Sequence, residues 1–178
     1  MKRIVLVFGL LSGAITAVLM WMMLLAMRYG GLNSEHGMFW GYASMIISLS
    51  MIFFGVKSYR DNNGGHVTFL KGLQIGILIS LIACLFYGLS WELYYQTLGG
   101  GFMAEYINAS LAKMQASGAS QADIDAARTQ MDNMAELYKN FFFRFAMTMT
   151  EILPVGIIVT LVSAALLRKR EVLSAQPA

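Results

Sequence analysis

The segment FFFRFAMTMTEILPVGIIVTLVSAALL, Phe141–Leu167, decides the fold. It is 27 residues long, and a helix needs about 20 mainly apolar residues to cross a bilayer. It holds two ionisable residues, Arg144 and Glu151, and one of the chain's two prolines, Pro154. Arg168, Lys169 and Arg170 follow directly, a basic end of the kind that anchors a span on one side of a membrane.

Three earlier runs have the same character: residues 4–27, 38–56 and 72–95. The first follows Lys2 and Arg3, as the core of a secretory signal would. Such a core is only about 7–15 residues long, and this run continues well past that, so it reads as an uncleaved span. Small residues recur on the first three spans: Gly9, Gly13 and Ala17; Gly41, Ser48 and Gly55; Gly72, Gly76, Ser80, Cys84 and Gly88. Such stripes let another helix backbone approach closely. Trp91, Tyr94 and Tyr95 form an aromatic belt at one end of the third span, with Glu92 inside it.

Composition agrees. The chain is 57% hydrophobic and 13% charged, against roughly 25% charged in a soluble domain. The net charge of +3 does not indicate nucleic acid, because the basic residues stand at the ends of apolar runs. The single cysteine, Cys84, excludes an internal disulfide and lies within a span. His36 and His66 fall in different connections, and no His, Cys, Asp or Glu cluster has metal-ligand spacing.

The one large hydrophilic region is residues 96–140. Gly99, Gly100 and Gly101 stop the third span. Met103, Ile107, Leu111 and Met114 then share a helical face, and Gly118 ends that helix. Ser120 and Asp123 have the spacing of an N-terminal capping box. Ile124, Ala127, Met131, Met134, Tyr138, Phe141 and Phe145 follow at heptad spacing. This predicts an extramembrane helical hairpin. Its second arm is expected to run unbroken from Gln121 to Leu167, roughly 70 Å at 1.5 Å per residue. The heptad stripe would pack on the first arm, on a second copy or on a partner, the first arm being the default.

The expected fold is therefore an all-α membrane protein with four transmembrane helices and a helical hairpin between the third and fourth. It forms a single membrane domain over residues 1–178, with residues 96–140 as a periplasmic insertion. With the N-terminus inside, the cytoplasmic segments hold Lys2, Arg3, Lys57, Arg60, Lys71, Arg168, Lys169 and Arg170. The other side, with the outer end of the fourth span, holds Arg28, Lys113, Arg128, Lys139 and Arg144. The bias places both termini in the cytoplasm.

Two places hold candidate functional residues. The loop KSYRDNNGGHVTFLK, residues 57–71, reads first as a basic cytoplasmic connection. Lys57, Tyr59, Arg60 and Lys71 are also the groups that would meet an anionic lipid headgroup. The second place is an intramembrane polar site of Glu151, Arg144, Glu92, Pro154 and Thr150. Glu151 lies about 15 Å into its span by helix rise, and an ionisable group at such depth is a functional candidate. Arg144 is two turns earlier on the same face, so the two could line one polar cavity. Glu92 is either a water-facing carboxylate or a partner for Arg144. Pro154 frees the carbonyl of Thr150. Three readings of Glu151 stay open: interhelical glue, a proton or cation site of a small transporter or channel, and part of an enzyme. The last has least support, because no HExxH, GxSxG, paired aspartates or nucleotide loop is present.

The segment GVKSYRDNNGGHVTFLKGLQIG, residues 55–76, resembles the most distinctive signature of the bacterial membrane family called domain of unknown function 4199. Glu151, Pro154 and Gly156, with the small residues and basic end after them, are similar to that family's last span. Trp91 and the tyrosines beyond it resemble its third. The resemblance covers nearly the whole chain and implies a bacterial four-span inner-membrane protein. It assigns no catalytic residue, and it draws interest to Lys57, Tyr59, Arg60, Asp61, Gly64, Gly65, Lys71, Glu151 and Pro154. The expectation is a non-enzymatic protein without cofactor, contacting membrane lipids and assembling with itself or with a membrane-protein partner. The alternative is a proton- or cation-coupled transporter or channel using Glu151.

Overall fold

The structure, a computed structural model, describes residues 1–29 and 37–168. The turn expected at Gly30, Gly31 and Asn33, and the tail with Lys169 and Arg170, lie outside the described residues. The chain is all α. Its helices are α1 (Lys2–Arg28), α2 (Gly37–Leu49), α3 (Met51–Asp61), α4 (Phe69–Thr97), α5 (Phe102–Ala116), α6 (Gln121–Tyr138) and α7 (Phe141–Leu167). Among the described residues, four helices are long and apolar enough to cross a membrane: Lys2–Arg28, Phe39–Asp61, Phe69–Thr97 and Phe141–Leu167.

The second of these is α2 and α3 read together. Ser50 interrupts the ladder without leaving helical backbone, at φ −57° and ψ −22°. Its carbonyl accepts from Phe53 N at 3.0 Å, a one-residue tightening, and its hydroxyl donates back to Ile47 O at 2.6 Å. The helix then runs to Asp61, past the expected end at residue 56. Lys57, Tyr59 and Arg60 therefore stand on a helix, not in a loop, and Lys71 is in the first turn of α4. The ladder continues because long charged side chains on a final turn can reach water while the backbone stays bonded. The turn after it needs glycine, since Gly64 and Gly65 take φ of 65° and 82°.

The chain divides into two compact units, Met1–Ser90 with Met149–Ala178, and Trp91–Thr148. In the first, fully buried Leu49, Ile52, Val56, Ile75, Ile79 and Ile152 form the centre of the core. The small residues form its seams. A Cβ on Gly9 would stand 2.5 Å from Ile82, and one on Gly13 2.6 Å from the Phe86 ring. One on Gly76 would meet Thr160 at 2.5 Å, and one on Gly156 would meet Ser80 at 3.0 Å. Buried hydroxyls stitch the same seams: Ser12 donates to Ser48 O at 2.8 Å, and Ser80 lies 3.3 Å from Thr160 Oγ1. The stripes read from the sequence are thus occupied by helices of the same chain. Outside the seams the spans expose apolar side chains, and only about a third of the most apolar stretch of each span is buried. Leu166 is 70% exposed and Met22 62%. So much continuous apolar surface suits lipid and not water.

The second unit contains the hairpin. Gly101, at φ 91°, turns the chain into α5, and Gly118, at φ 80°, ends it. Ser120 caps α6 by accepting from Asp123 N at 3.2 Å, while its hydroxyl donates to the Asp123 carboxylate at 2.6 Å. Ile107, Leu111 and Ile124 are the buried centre, with Met114, Ala127 and Met131 packed against them. The first part of the heptad stripe, Ile124, Ala127 and Met131, therefore packs on the first arm, whereas Met134 and Phe141 are exposed. The unbroken helix from Gln121 to Leu167 is not found. α6 stops at Tyr138 and α7 starts at Phe141. Asn140 makes the break. Its side-chain oxygen accepts from Phe142 N at 2.9 Å and Phe143 N at 3.2 Å, which caps a new helix.

Candidate functional site

The most elaborate polar arrangement lies where α4 ends and α7 begins, within the second unit. Asn140 starts α7, which places Arg144 one turn in, with its amide bonded to Asn140 O at 3.0 Å. Its guanidinium grips Glu92 of α4 with two bonds, Nε to Oε2 at 2.7 Å and Nη2 to Oε1 at 2.5 Å. The third nitrogen, Nη1, donates to the carbonyl of Tyr138 at 2.7 Å and reaches that of Lys139 at 3.4 Å. Those carbonyls belong to the end of α6, where a helix leaves its last acceptors unsatisfied. One side chain thus ties together the ends of α4 and α6 and the start of α7.

Aromatic rings enclose the pair. The guanidinium carbon lies 4.1 Å from the centre of the Tyr95 ring, a cation–π contact. Tyr95 packs edge-on against Tyr138 at 5.6 Å, and Trp91 Nε1 donates to the Tyr138 hydroxyl at 2.7 Å. Gln96 adds a bond to Glu92 at 2.6 Å. Arg144 is 4% exposed and Glu92 7%. A buried ion pair contributes only if its geometry is good and its remaining hydrogen-bonding groups are met. Both conditions hold here. The arrangement can clamp helices. Its charges and donors are spent internally, which leaves little for substrate or metal.

Glu151 has a different environment. It is exposed on α7, and the Tyr87 hydroxyl of α4 donates to its Oε2 at 2.8 Å. Thr150 and Pro154 are exposed on the same helix, and α7 continues through Pro154 without a break. The residues expected in the intramembrane site are distributed over the two compact units. Glu92 and Arg144 are brought together and buried, whereas Glu151 is bonded to Tyr87 at an open surface. Arg144 turns its nitrogens to Glu92 and to the carbonyls of Tyr138 and Lys139.

Of the expected headgroup residues, Lys57, Tyr59 and Arg60 stand on α3 and Lys71 on α4. Arg60 closes on Asp61, with Nε and Nη2 at 3.1 and 3.0 Å from Oδ1. Lys57 stands 3.9 Å from Asp61 Oδ2. Lys71 donates to Gln74 at 3.0 Å, and Tyr59 packs against the core. Among the described residues no group of three His, Cys, Asp or Glu is placed to hold a metal ion.

The sequence profile of the family described as protein of unknown function, DUF4199, matches residues 7–169. The chain belongs to the DUF4199 family. No curated protein and no solved structure matches it. The match to DUF4199 takes in both the Glu92–Arg144 clamp and the end of α3.

Sequence reasoning missed Tyr87, Gln96 and Asn140, and it placed Tyr138 on the heptad stripe alone. Only Asn140 carried a usable signal, an N-cap residue directly before an apolar run. Tyr87 and Gln96 are ordinary residues in sequence, and only the packing of α4 gives them partners.

Proposed function

We propose that the protein is a non-enzymatic membrane component that presents the α5–α6 hairpin outside the bilayer as an interaction module, for a second copy or a membrane-protein partner. The Glu92–Arg144 clamp carries this reading. Three buried residues are a small core for two helices, and cores of that size rarely hold a fold alone. A buried, fully bonded ion pair at the hairpin's base supplies an anchor that catalysis would not need. Met134 and Leu137, one turn apart on α6, are 40% and 52% exposed and offer an apolar contact face. The basic residues support an orientation with both termini cytoplasmic, and the family resemblance supports a bacterial inner membrane, which makes the hairpin periplasmic.

Cysteines introduced at Met134 or Leu137 test the reading by crosslinking in native membranes. The expected result is one discrete adduct, either a dimer of this chain or a complex with a single partner. A chain that stays monomeric in membranes, with no adduct at either position, overturns it.

A second reading rests on a separate observation, the exposed Glu151 carboxylate bonded to Tyr87. As a proton- or cation-coupled carrier, the protein in liposomes would move ions or solute, and Glu151→Gln would abolish the flux. Equal flux in that variant removes the second reading.

A further inference from the structure

The geometry points to a phospholipid-binding groove at the cytoplasm-assigned end of α3, a site independent of the hairpin reading. An open groove of about 610 Å³ runs between α1 and α3. Its apolar half is Phe8, Met51 and Phe54; its polar half is Lys57, Ser58, Asp61 and Asn62. Phe8 can form a wall because Gly55 brings α1 close: a Cβ at Gly55 would lie 3.3 Å from Phe8 Cβ. Met51, Phe54 and Ser58 share one line of α3, with Lys57 and Asp61 on the line beside it. The groove therefore follows the helix axis, over about 16 Å from Met51 to Asn62 at 1.5 Å per residue.

The polarity order along that axis is that of a lipid. The trough is apolar within the span and becomes charged where the span ends at Asp61. The charges also select the headgroup. Arg60 and Asp61 neutralise each other through two hydrogen bonds to one carboxylate oxygen. Lys57, at 3.9 Å from the other oxygen, is beyond hydrogen-bond reach of it. The Lys57 side chain is half exposed and lines the groove, as does Ser58, so its ammonium keeps donors to give. A net positive ammonium with a neighbouring hydroxyl suits a phosphodiester, which lysine holds as a point charge. The occupant is thus a glycerophospholipid, with an acyl chain against Phe8, Met51 and Phe54 and its phosphate at Lys57. Lys71, expected in the same patch, is outside the groove and bonded to Gln74.

Native mass spectrometry of the full chain in detergent tests this, with phosphatidylglycerol, phosphatidylethanolamine, diacylglycerol of matched chains, and glycerol phosphate as probes. Both phospholipids should bind saturably, one per chain, and at least about tenfold more tightly than diacylglycerol, where tenfold is about 1.4 kcal/mol. Lys57→Gln should remove that preference, Phe54→Ala should weaken both phospholipids, and Lys71→Gln should change neither. Three results overturn the proposal: diacylglycerol binding as well as the phospholipids, Lys57→Gln retaining the preference, or glycerol phosphate binding as tightly as the lipids. Lys57 is on the surface, so its replacement leaves the core intact.

Discussion

The two units of this molecule hold their helices together by opposite means. In the unit built from α1 to α3, most of α4 and most of α7, contact is dry and close, with Gly9, Gly13, Gly76 and Gly156 admitting neighbouring side chains. In the unit around α5 and α6, contact rests on a small apolar core and a bidentate ion pair. The solvent explains the difference. Lipid is as apolar as leucine, so burying leucine from lipid contributes little, and tight van der Waals fit with short hydroxyl bonds must do the work. Beyond the bilayer the hydrophobic effect operates, at about 1.5–3 kcal/mol for each fully buried aliphatic side chain. A two-helix hairpin has too few of these, and the Glu92–Arg144 clamp makes up the difference.

The clamp is the sharpest point at which to break that contrast. Arg144→Met leaves the Glu92 carboxylate buried without its partner and is expected to lower stability by about 3–5 kcal/mol. Thermal unfolding in detergent reads the loss, and hydrogen exchange should locate it in α5 and α6. Replacing Glu92 by Met as well should recover most of it, since an apolar pair of similar volume is often neutral. Simple addition of the two losses would show that the residues do not act as a pair.

Gly76→Leu is the matching test of the dry seams. Its side chain would collide with Thr160 and Ile52, at an expected cost of about 1–3 kcal/mol from overpacking. If stability held and only an oligomer were lost, the glycine stripe would face another chain instead. Asn140→Ala should cost about 1 kcal/mol by removing the cap of α7. That loss should appear as faster amide exchange at Phe142 and Phe143. Glu151→Gln should have the smallest effect on folding, below about 1 kcal/mol. Glutamine keeps an acceptor for Tyr87, and the position is exposed. A large destabilisation there would make Glu151 a second clamp, and the contrast with Glu92 would fail.

The helices themselves were legible in the chain. Runs of apolar residues longer than a bilayer is thick, bounded by charges and glycines, admit few other structures, because backbone groups in hydrocarbon must bond internally. The ends were less so. The heptad pattern continues across Asn140, and periodicity does not register a side chain that caps. Polarity alone puts Lys57, Tyr59 and Arg60 in a loop, although polarity on the last turns of a span is compatible with a helix. The small-residue stripes were visible, but not which helix would lie in them.

The candidate site divides in the same way. That Arg144, Glu151 and Glu92 are unusual follows from the sequence alone, since each is a charged residue within an apolar run or at its end. Which of them meet is a matter of packing. Glu92 and Arg144 are 52 positions apart, and only the approach of α4 to the start of α7 brings a carboxylate within reach of a guanidinium. Glu151 takes a bond from Tyr87, 64 positions away, on an exposed side of α7. Hydropathy and helix signals are local and can be read along the chain. A charge is satisfied by whatever the fold sets beside it, and partners that far apart meet only in three dimensions.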